Sequence, residues 1–251
     1  CLFFFYVLLV NATRNHFQIQ KGFSFVPGKS LVRNLKAVLN DANIPVLSGI
    51  KNSLIVSVCT AALSTYFSAM TAYDFKLRKP AFLFILLILV MPTQVSALGF
   101  VNLITKMDLM DSLVPLFLPS IAAPAVFYFM YSYMQSSLPL ELIEAARIDG
   151  SGEFHTFNKI VIPIMKPAMA VQAIFAFVQA WNNYFLPLIM LKDADWYPLT
   201  IGLNQWKDQA STAGGQAIQN LVITGSLVTI IPLVIAFLCL QKYWQSGLAA
   251  G

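Results

Sequence analysis

Charged side chains gather at one point of the chain, residues 138–152, directly after a long apolar run. The stretch is rich in good helix formers, and Pro139 and Gly150 are residue types that suit the start and the stop of a helix. Glu144 and Arg147 are three residues apart and can pair on the exposed side of such a helix. The two alanines between them have small side chains, so another protein could closely approach the helix backbone on that side. The pattern predicts a short amphipathic helix that either docks into the cleft of a partner protein or lies on lipid headgroups.

A second group of side chains that could bind a ligand consists of neutral amides. Gln172, Gln179 and Asn183 are spaced seven and four residues apart, so they share one face of a predicted membrane helix. Amides can hydrogen-bond the hydroxyl groups of a neutral solute without the desolvation cost of a full charge. The face therefore either lines a solute pathway or makes interhelical hydrogen bonds, worth about 0.6–2 kcal/mol each in membranes. The spacing fits both interpretations.

A row of small hydroxyl residues follows one face of an earlier apolar segment at steps of three and four. Small residues in such a row allow two helices to approach closely. We therefore interpret the row as a packing surface. Its members are Ser53, Ser57, Thr60, Ser64 and Ser68.

Motifs for catalysis and for metal binding are absent from the sequence. No G-x-x-x-x-G-K-[ST] motif occurs, so this chain is not expected to hydrolyse ATP itself. His16 and His155 are isolated, and no H-E-x-x-H motif occurs. Cys1, Cys59 and Cys239 have no C-x-x-C spacing, and the eleven carboxylates all lie in polar connections. We predict no catalytic residue, no metal ligand and no cofactor in this chain.

The composition is that of an integral membrane protein. Of the 251 residues, 58% are hydrophobic and 11% are charged, and the mean hydropathy is +0.70. Soluble domains contain about 45–50% apolar and about 25% charged residues. Intrinsic disorder and nucleic-acid binding are excluded, because both need polar surface. The net charge of +5 fits basic loops beside anionic lipid.

Five complete apolar segments are long enough to cross a bilayer as helices, which need about 20 residues each. They are residues 52–73, 81–104, 113–138, 168–191 and 220–240. The apolar run at residues 2–10 is too short, and we interpret it as a span whose first half is missing, which brings the count to six. Prolines at positions 92, 115, 119, 124 and 187 are expected to kink or interrupt these helices.

The five segments contain no Asp, Glu, Lys, Arg or His. Proton-coupled carriers, pumps and voltage sensors usually place such groups inside the membrane. If this protein moves a solute, we expect the energy to enter from outside the bilayer and the solute not to be strongly charged.

The orientation follows only weakly from charge. The connection 74–80 carries three basic residues and is predicted to be cytoplasmic, which places 139–167 on the same side. The connection 11–51 would then lie outside although it carries six basic residues. The positive-inside rule therefore favours this orientation only weakly, because the orientation places six basic residues outside the cell.

The charged stretch resembles the EAA loop of ABC-transporter permeases. That family pattern reads E-A-A, any three, G, any nine, I, any one, L-P. Here the sequence reads Glu144–Ala146, Gly150, Ile160 and then Ile162-Pro163, with isoleucine in place of leucine as the single departure. Fixed residues at these spacings in an inter-span connection make the resemblance specific.

Two further stretches resemble the carbohydrate-uptake permeases of the same family. Residues 181–188, W-N-N-Y-F-L-P-L, are similar to the pattern W-N-x-[FY]-x-x-P-L. Residues 241–251 resemble the ending of permeases of the maltose-transporter (MalG) type but stop early. The resemblance covers roughly residues 45–251.

The resemblance implies an all-α integral membrane fold with six transmembrane helices, the first truncated, of the type I ABC importer permease (MetI-like) class. It implies half of a pathway for a carbohydrate, formed with a second homologous permease in the bacterial inner membrane. The other partners are an extracytoplasmic solute-binding protein and two ATPase subunits that use ATP and magnesium. The residues matching the ATPase-coupling motif are Glu144, Ala145, Ala146, Asp149 and Gly150.

The domain organisation expected from this reading has three parts. Residues 1–44 form the truncated first helix and an extracytoplasmic connection, 45–241 the permease domain, and 242–251 a truncated cytoplasmic tail. The alternatives are an ABC importer permease for another neutral solute and an ATP-independent carrier or channel. The absence of a detectable internal repeat disfavours a carrier.

Overall fold

The computed structural model describes residues 2–78, 85, 87–88, 93–212 and 218–248, and the regular elements in these residues are helical. The first helices are α1 (Leu2–Ala12), α2 (His16–Gln20), α3 (Leu31–Leu39), α4 (Val46–Arg78) and α5 (Thr93–Lys106). The central ones are α6 (Val114–Phe117), α7 (Pro124–Ser137), α8 (Leu140–Ile148), α9 (Glu153–Thr156) and α10 (Ile162–Trp181). The last are α11 (Phe185–Met190), α12 (Leu199–Ser211) and α13 (Gln219–Leu248). A π-helical turn, Phe157–Val161, joins α9 to α10, and 3-10 turns lie at Leu118–Ile121 and Ala194–Trp196.

Four helical stretches in the described residues are long and apolar enough to cross a membrane. They are Val46–Asp74, Val114–Ser137, Glu153–Trp181 and Gln219–Cys239. Shorter apolar helices lie at Phe3–Ala12 and Val95–Lys106. The four stretches match the predicted spans 52–73, 113–138, 168–191 and 220–240, with altered ends. The predicted span 81–104 falls partly outside the described residues, and its second half, residues 93–104, is helical in α5.

The predicted span 168–191 has the wrong boundaries. The helix begins at Glu153, fifteen residues earlier, and ends at Trp181, before a break of three residues and the separate helix α11. Two consecutive asparagines follow Trp181, and asparagine favours turns because its side chain competes for backbone groups. The Asn183 carboxamide oxygen accepts from the Leu186 amide at 3.4 Å, at the start of α11.

The proline-rich third span is interrupted, as its sequence predicts. Pro119 lies in a 3-10 turn, and Pro124 is the first residue of α7, where proline lacks no helical hydrogen bond. Pro92 lies outside the described residues. Pro167 and Pro232 lie inside α10 and α13, in helices that continue past them.

The chain divides into two compact units. One unit comprises Cys1–Ile55, Asp111–Leu113 and Trp181–Ile235, and the other comprises Val56–Met110, Val114–Ala180 and Ala236–Gly251.

In the first unit, α12 packs with the segments around it through buried indole and amide groups. The Trp206 indole N–H donates to Asp41 Oδ2 at 3.0 Å, and the Asn52 amide donates to the Asp195 carbonyl at 2.8 Å. Ser53 Oγ, from the hydroxyl row, accepts from the Leu199 amide at 2.9 Å. The connection 192–219 thus contains a packed helix that hydropathy alone did not predict.

The second unit has a core of aromatic, methionine and alanine side chains from α4, α7, α8 and α10. Its fully buried members include Met130, Met134, Phe157 and Met165. Ser64 and Ser68 of the hydroxyl row are buried in this unit. Their burial favours the packing interpretation.

Candidate functional site

The predicted amphipathic helix is α8, and its two ends follow from its sequence. Pro139, in extended conformation, precedes the first helical residue, Leu140. At the other end Gly150 has φ +78°, the left-handed conformation that glycine adopts without steric cost. The Gly150 amide donates to the Arg147 carbonyl at 3.0 Å and the Ser151 amide to the Ala146 carbonyl at 2.9 Å. These two bonds form a Schellman motif, so the glycine of the EAA pattern is the helix stop.

One face of α8 is seated in the core of the second unit. Ile143 is 1% exposed and belongs to the cluster that includes Phe157 and Val161. Ala146 is buried beside it. The seat joins the helix to the elements that carry the membrane spans.

The other face of α8 is exposed and mixes apolar and acidic side chains. Ile148 is 86% exposed, and Leu140 and Leu142 are each 45% exposed. The exposed residues of this face are Leu140, Glu141, Leu142, Glu144, Ala145, Arg147 and Ile148, followed by Asp149 and Gly150.

The expected pairing of Glu144 with Arg147 is replaced by another. The Arg147 guanidinium binds Glu153 Oε1 through Nε and Nη2, both at 2.7 Å. Glu153 Oε2 accepts from the Tyr73 hydroxyl at 2.6 Å. Glu153 lies five residues after the end of α8, in the first turn of α9. An acidic side chain is favoured at this position by the helix dipole.

Glu153 and Tyr73 were not among the residues singled out from the sequence. A glutamate that directly follows a glycine is typical of a helix start, so the sequence alone could have predicted that a helix begins at Glu153. Its contact with Tyr73 joins residues 80 positions apart, which no local pattern reveals.

The five predicted coupling residues lie together at α8 but do not share one environment. Ala145 and Ala146 were expected to thin the same flank, whereas Ala145 is exposed and Ala146 faces the core. A helix turns about 100° per residue, so adjacent side chains point in different directions. Glu144, Asp149 and Gly150 are exposed.

The predicted amide face is shorter than its spacing indicated. Gln172 and Gln179 lie in α10, seven residues apart and therefore on one face, with Gln179 exposed. Asn183 lies beyond the helix end, where its carbonyl accepts from the Thr200 hydroxyl at 3.1 Å. The helix stop at Trp181 removes Asn183 from the common face.

The helical fold, with an exposed amphipathic helix between two spans, is that of a multi-pass membrane protein. The chain belongs to the family described as "Binding-protein-dependent transport system inner membrane component", whose profile matches residues 61–248. The resemblance to ABC permeases and the expected fold class are thereby confirmed. The protein is a multi-pass component of a bacterial inner membrane.

Similar proteins agree with this assignment. The chain is 34% identical over 205 residues to the arabinooligosaccharides transport system permease protein AraQ of Halalkalibacterium halodurans, covering 80% of this chain and 71% of that protein. It is 31% identical to the sn-glycerol-3-phosphate transport system permease protein UgpE of Yersinia pestis bv. Antiqua, covering 98% and 90%.

A solved structure shares the fold. It is a bacterial ABC transporter involved in the import of the acidic polysaccharide alginate, with a TM-score of 0.77 and 20% sequence identity. The match covers 95% of this chain and 89% of that chain.

Proposed function

We propose that this chain forms half of the translocation pathway of an ABC importer for a carbohydrate and is driven by an ATPase that docks on α8. The observation that carries the proposal is the two-sided environment of α8. Ile143 is fixed in the core, while Glu144 and Ile148 on the other side are free to meet a partner. A helix seated in this way transfers the movement of a docked protein to the core elements.

The exposed face of α8 has the chemistry of a protein interface. Leu140, Leu142 and Ile148 supply apolar area, and Glu144 and Asp149 supply charge that a basic partner residue can meet. The Schellman turn at Gly150 keeps the end of this face compact.

The roles of the five coupling residues follow from these positions. Glu144, Ala145 and Asp149 belong to the contact surface, Ala146 to the seat, and Gly150 to the turn that ends the helix. Their role is mechanical, and no bond is made or broken in this chain. ATP and magnesium are used in the ATPase pair, and a second permease and a solute-binding protein complete the complex.

Two features favour a carbohydrate as the solute. The relative from H. halodurans is named for arabinooligosaccharides. Gln172 and Gln179 form a neutral polar face on an apolar helix, which suits hydroxyl groups. Interhelical hydrogen bonding is the alternative role of these two amides. Asn183 has a local role in either case, because its carboxamide oxygen accepts from the Leu186 amide in the first turn of α11.

A phosphorylated polyol is the second candidate solute, because the Yersinia relative is named for sn-glycerol-3-phosphate and is matched over nearly its whole length. A phosphate would be expected to meet a lysine or arginine. The described spans Val114–Ser137 and Gln219–Cys239 contain neither residue. The other two described spans contain Lys51, Lys159 and Lys166, which are exposed and precede the uncharged stretches 52–73 and 167–181. We therefore favour the neutral sugar.

The test is ATP hydrolysis and solute uptake by the assembled complex in liposomes, with its binding protein. The panel contains arabino-oligosaccharides, malto-oligosaccharides, sn-glycerol-3-phosphate and an amino acid. We expect uptake of one oligosaccharide class that requires ATP. Uptake of glycerol phosphate would support the second candidate, and flux that continues without ATP or ATPase would contradict the proposal.

The docking step has its own variant. Gly150→Asp is expected to leave the chain in the membrane, to abolish uptake and to weaken retention of the ATPase during purification. Gly152→Ser is the matched control, because Gly152 has φ −72° and caps α9, where serine is favourable. Uptake at the wild-type rate in Gly150→Asp would contradict docking on α8.

A further inference from the structure

We infer that Glu153 is a positioning residue for energy coupling, because its carboxylate fastens the exposed helix α8 to the membrane helix α4. The inference rests on the proposed function and adds a residue outside the EAA pattern. It concerns the step by which the movement of α8 reaches a span.

The Glu153 carboxylate uses its two oxygens on two different elements. Oε1 accepts two bonds from the Arg147 guanidinium in α8, and Oε2 accepts one from the Tyr73 hydroxyl in α4. The three distances, 2.6 to 2.7 Å, are those of strong charge-assisted hydrogen bonds. One side chain therefore connects α8, α9 and α4.

The partner in α4 is itself firmly held. Tyr73 is 4% exposed and belongs to the core cluster, with its ring centroid 5.8 Å from that of Phe157. A buried phenol hydroxyl that loses its partner is costly to leave unpaired. Displacing Glu153 thus either moves Tyr73 or breaks a bond that the core cannot replace.

Packing does not hold Arg147 and Glu153 in place, because their side chains are 45% and 49% exposed. An open cavity of about 220 Å³ adjoins them and is lined also by Met70 and Asp74. On α8 itself, two of nine side chains, Ile143 and Ala146, are buried. The orientation of α8 therefore depends on the polar bonds more than on contact area.

A second hydrogen bond joins α4, two turns before Tyr73, to the helical run that begins at Glu153. The Tyr66 hydroxyl donates to Asn158 Oδ1 at 3.2 Å, and Asn158 Nδ2 donates to the Phe154 carbonyl at 2.8 Å. Tyr66 and Tyr73 are seven residues apart and share one face of α4. This second bond keeps α4 and the helix that begins at Glu153 aligned when Glu153 is changed, so loss of the carboxylate acts chiefly on α8.

The test compares solute uptake with ATP hydrolysis in the complete complex in liposomes. We expect Glu153→Ala to lower the number of solute molecules imported per ATP several-fold, while ATPase retention changes less than twofold. Tyr73→Phe should act in the same direction, and the double variant should be no worse than Glu153→Ala, because both act through one carboxylate. Lys159→Gln, an exposed charge on the same helical run, is the control and should couple normally.

A second measurement needs no transport. Amide hydrogen exchange of the segment 138–152 in the purified complex should be roughly tenfold faster in Glu153→Ala, with 162–181 unchanged. Unchanged exchange together with a normal uptake-to-ATP ratio would overturn the inference. A wild-type complex that imports nothing with ATP would instead contradict the proposed function, whatever the exchange rates.

Discussion

Two neighbouring glycines show how finely single residues define the end of α8. Gly150 has φ +78°, whereas Gly152, two residues on, has φ −72° and begins α9. A Cβ at either position would have open space within 4 Å. Backbone conformation, and not crowding, therefore distinguishes the glycine that the EAA pattern requires from the one that it does not.

This difference gives a prediction for α8. Gly150→Ala is expected to destabilise the Schellman turn by about 1 kcal/mol, because an L-residue is strained in the left-handed region. Amide exchange in α8 should then be about fivefold faster. Gly150→Asn should be milder, since asparagine tolerates this conformation. Equal effects from Gly150→Ala and Gly152→Ser would show that the backbone conformation is not the cause.

At another position a single carboxylate joins two distant segments of the first unit. Asp111 Oδ1 accepts from the amides of Lys192 and Asp193 at 2.9 and 3.0 Å. The amide of Asp193, and then that of Lys192, hold the pKa of Asp111 below its usual value of 3.8, since both stabilise the charged form.

The sign of the pH dependence follows. A carboxylate whose pKa is lowered by folding stabilises the folded protein at pH values above its pKa in the unfolded chain. This stabilisation is lost as the pH falls through the pKa of the folded state. The melting temperature of Asp111→Asn should therefore lie below that of the wild type at neutral pH, and the gap should narrow below about pH 4. A gap that stays constant on acidification would contradict the assignment.

At the scale of the elements, α12 depends on close contact with α13 within the first unit. A Cβ added to Gly225 in α13 would lie 2.7 Å from Trp206 Cζ3 and 3.1 Å from Cε3. The Trp206 ring cannot move freely, because its indole N–H is bonded to Asp41. Gly225 is therefore needed for this contact.

Gly225→Ala is expected to destabilise the protein by about 1–3 kcal/mol through overpacking against Trp206. Gly99→Ala is the matched control, because Gly99 lies in α5 with no atom near the position of its Cβ. Alanine there should be neutral or stabilising by up to about 1 kcal/mol. The melting temperature of each variant in detergent checks both values. Similar melting temperatures for the two variants would contradict the packing argument.

The face of α10 also carries a prediction. Gln179→Ala and Gln172→Ala are expected to change the relative uptake rates of different oligosaccharides while the melting temperature stays within about 2 °C. Gln135→Ala, an exposed amide on α7, should change neither. A lowered melting temperature with unchanged selectivity would assign these amides to interhelical hydrogen bonding.

The elements also show how far the sequence predicts this fold. Hydropathy located the spans, and Pro139 and Gly150 predicted both ends of α8, because those signals are local. Hydropathy placed the fifth span too late, since Glu153 and Lys159 lie in the same continuous helical run as the apolar residues. The Arg147–Glu153–Tyr73 contact was not predicted, because it depends on how α4 packs beside α9.

At the scale of the whole molecule, much of the apolar helix surface of the described residues is left unburied. In the apolar window of Val114–Ser137, 22% of the residues are buried, and in that of Val46–Asp74, 39%. Lipid and a second permease are the two environments that can cover the rest. Burial against a second subunit stabilises by mass action.

We therefore expect this chain to be less stable alone than in complex. The measurement is the melting temperature of the purified chain, with and without its partner permease, at matched detergent concentration. An increase of several degrees that depends on partner concentration is expected. The ATPase alone, added without the partner permease, serves as the comparison. A melting temperature that is the same with and without the partner permease would show that lipid alone covers these faces.

The π-helical turn Phe157–Val161 overlaps the end of the nine-residue gap between Gly150 and Ile160. A π turn holds one residue more than an α turn, so it shifts the angular register of everything before it by about 100°. The number of residues in this gap of the EAA pattern thus fixes a rotation about the helix axis. It decides the direction in which Glu153 and α8 point relative to the apolar part of the helix. Deleting one residue here would regularise the helix and turn α8 away from its seat, although every residue of the docking face would still be present.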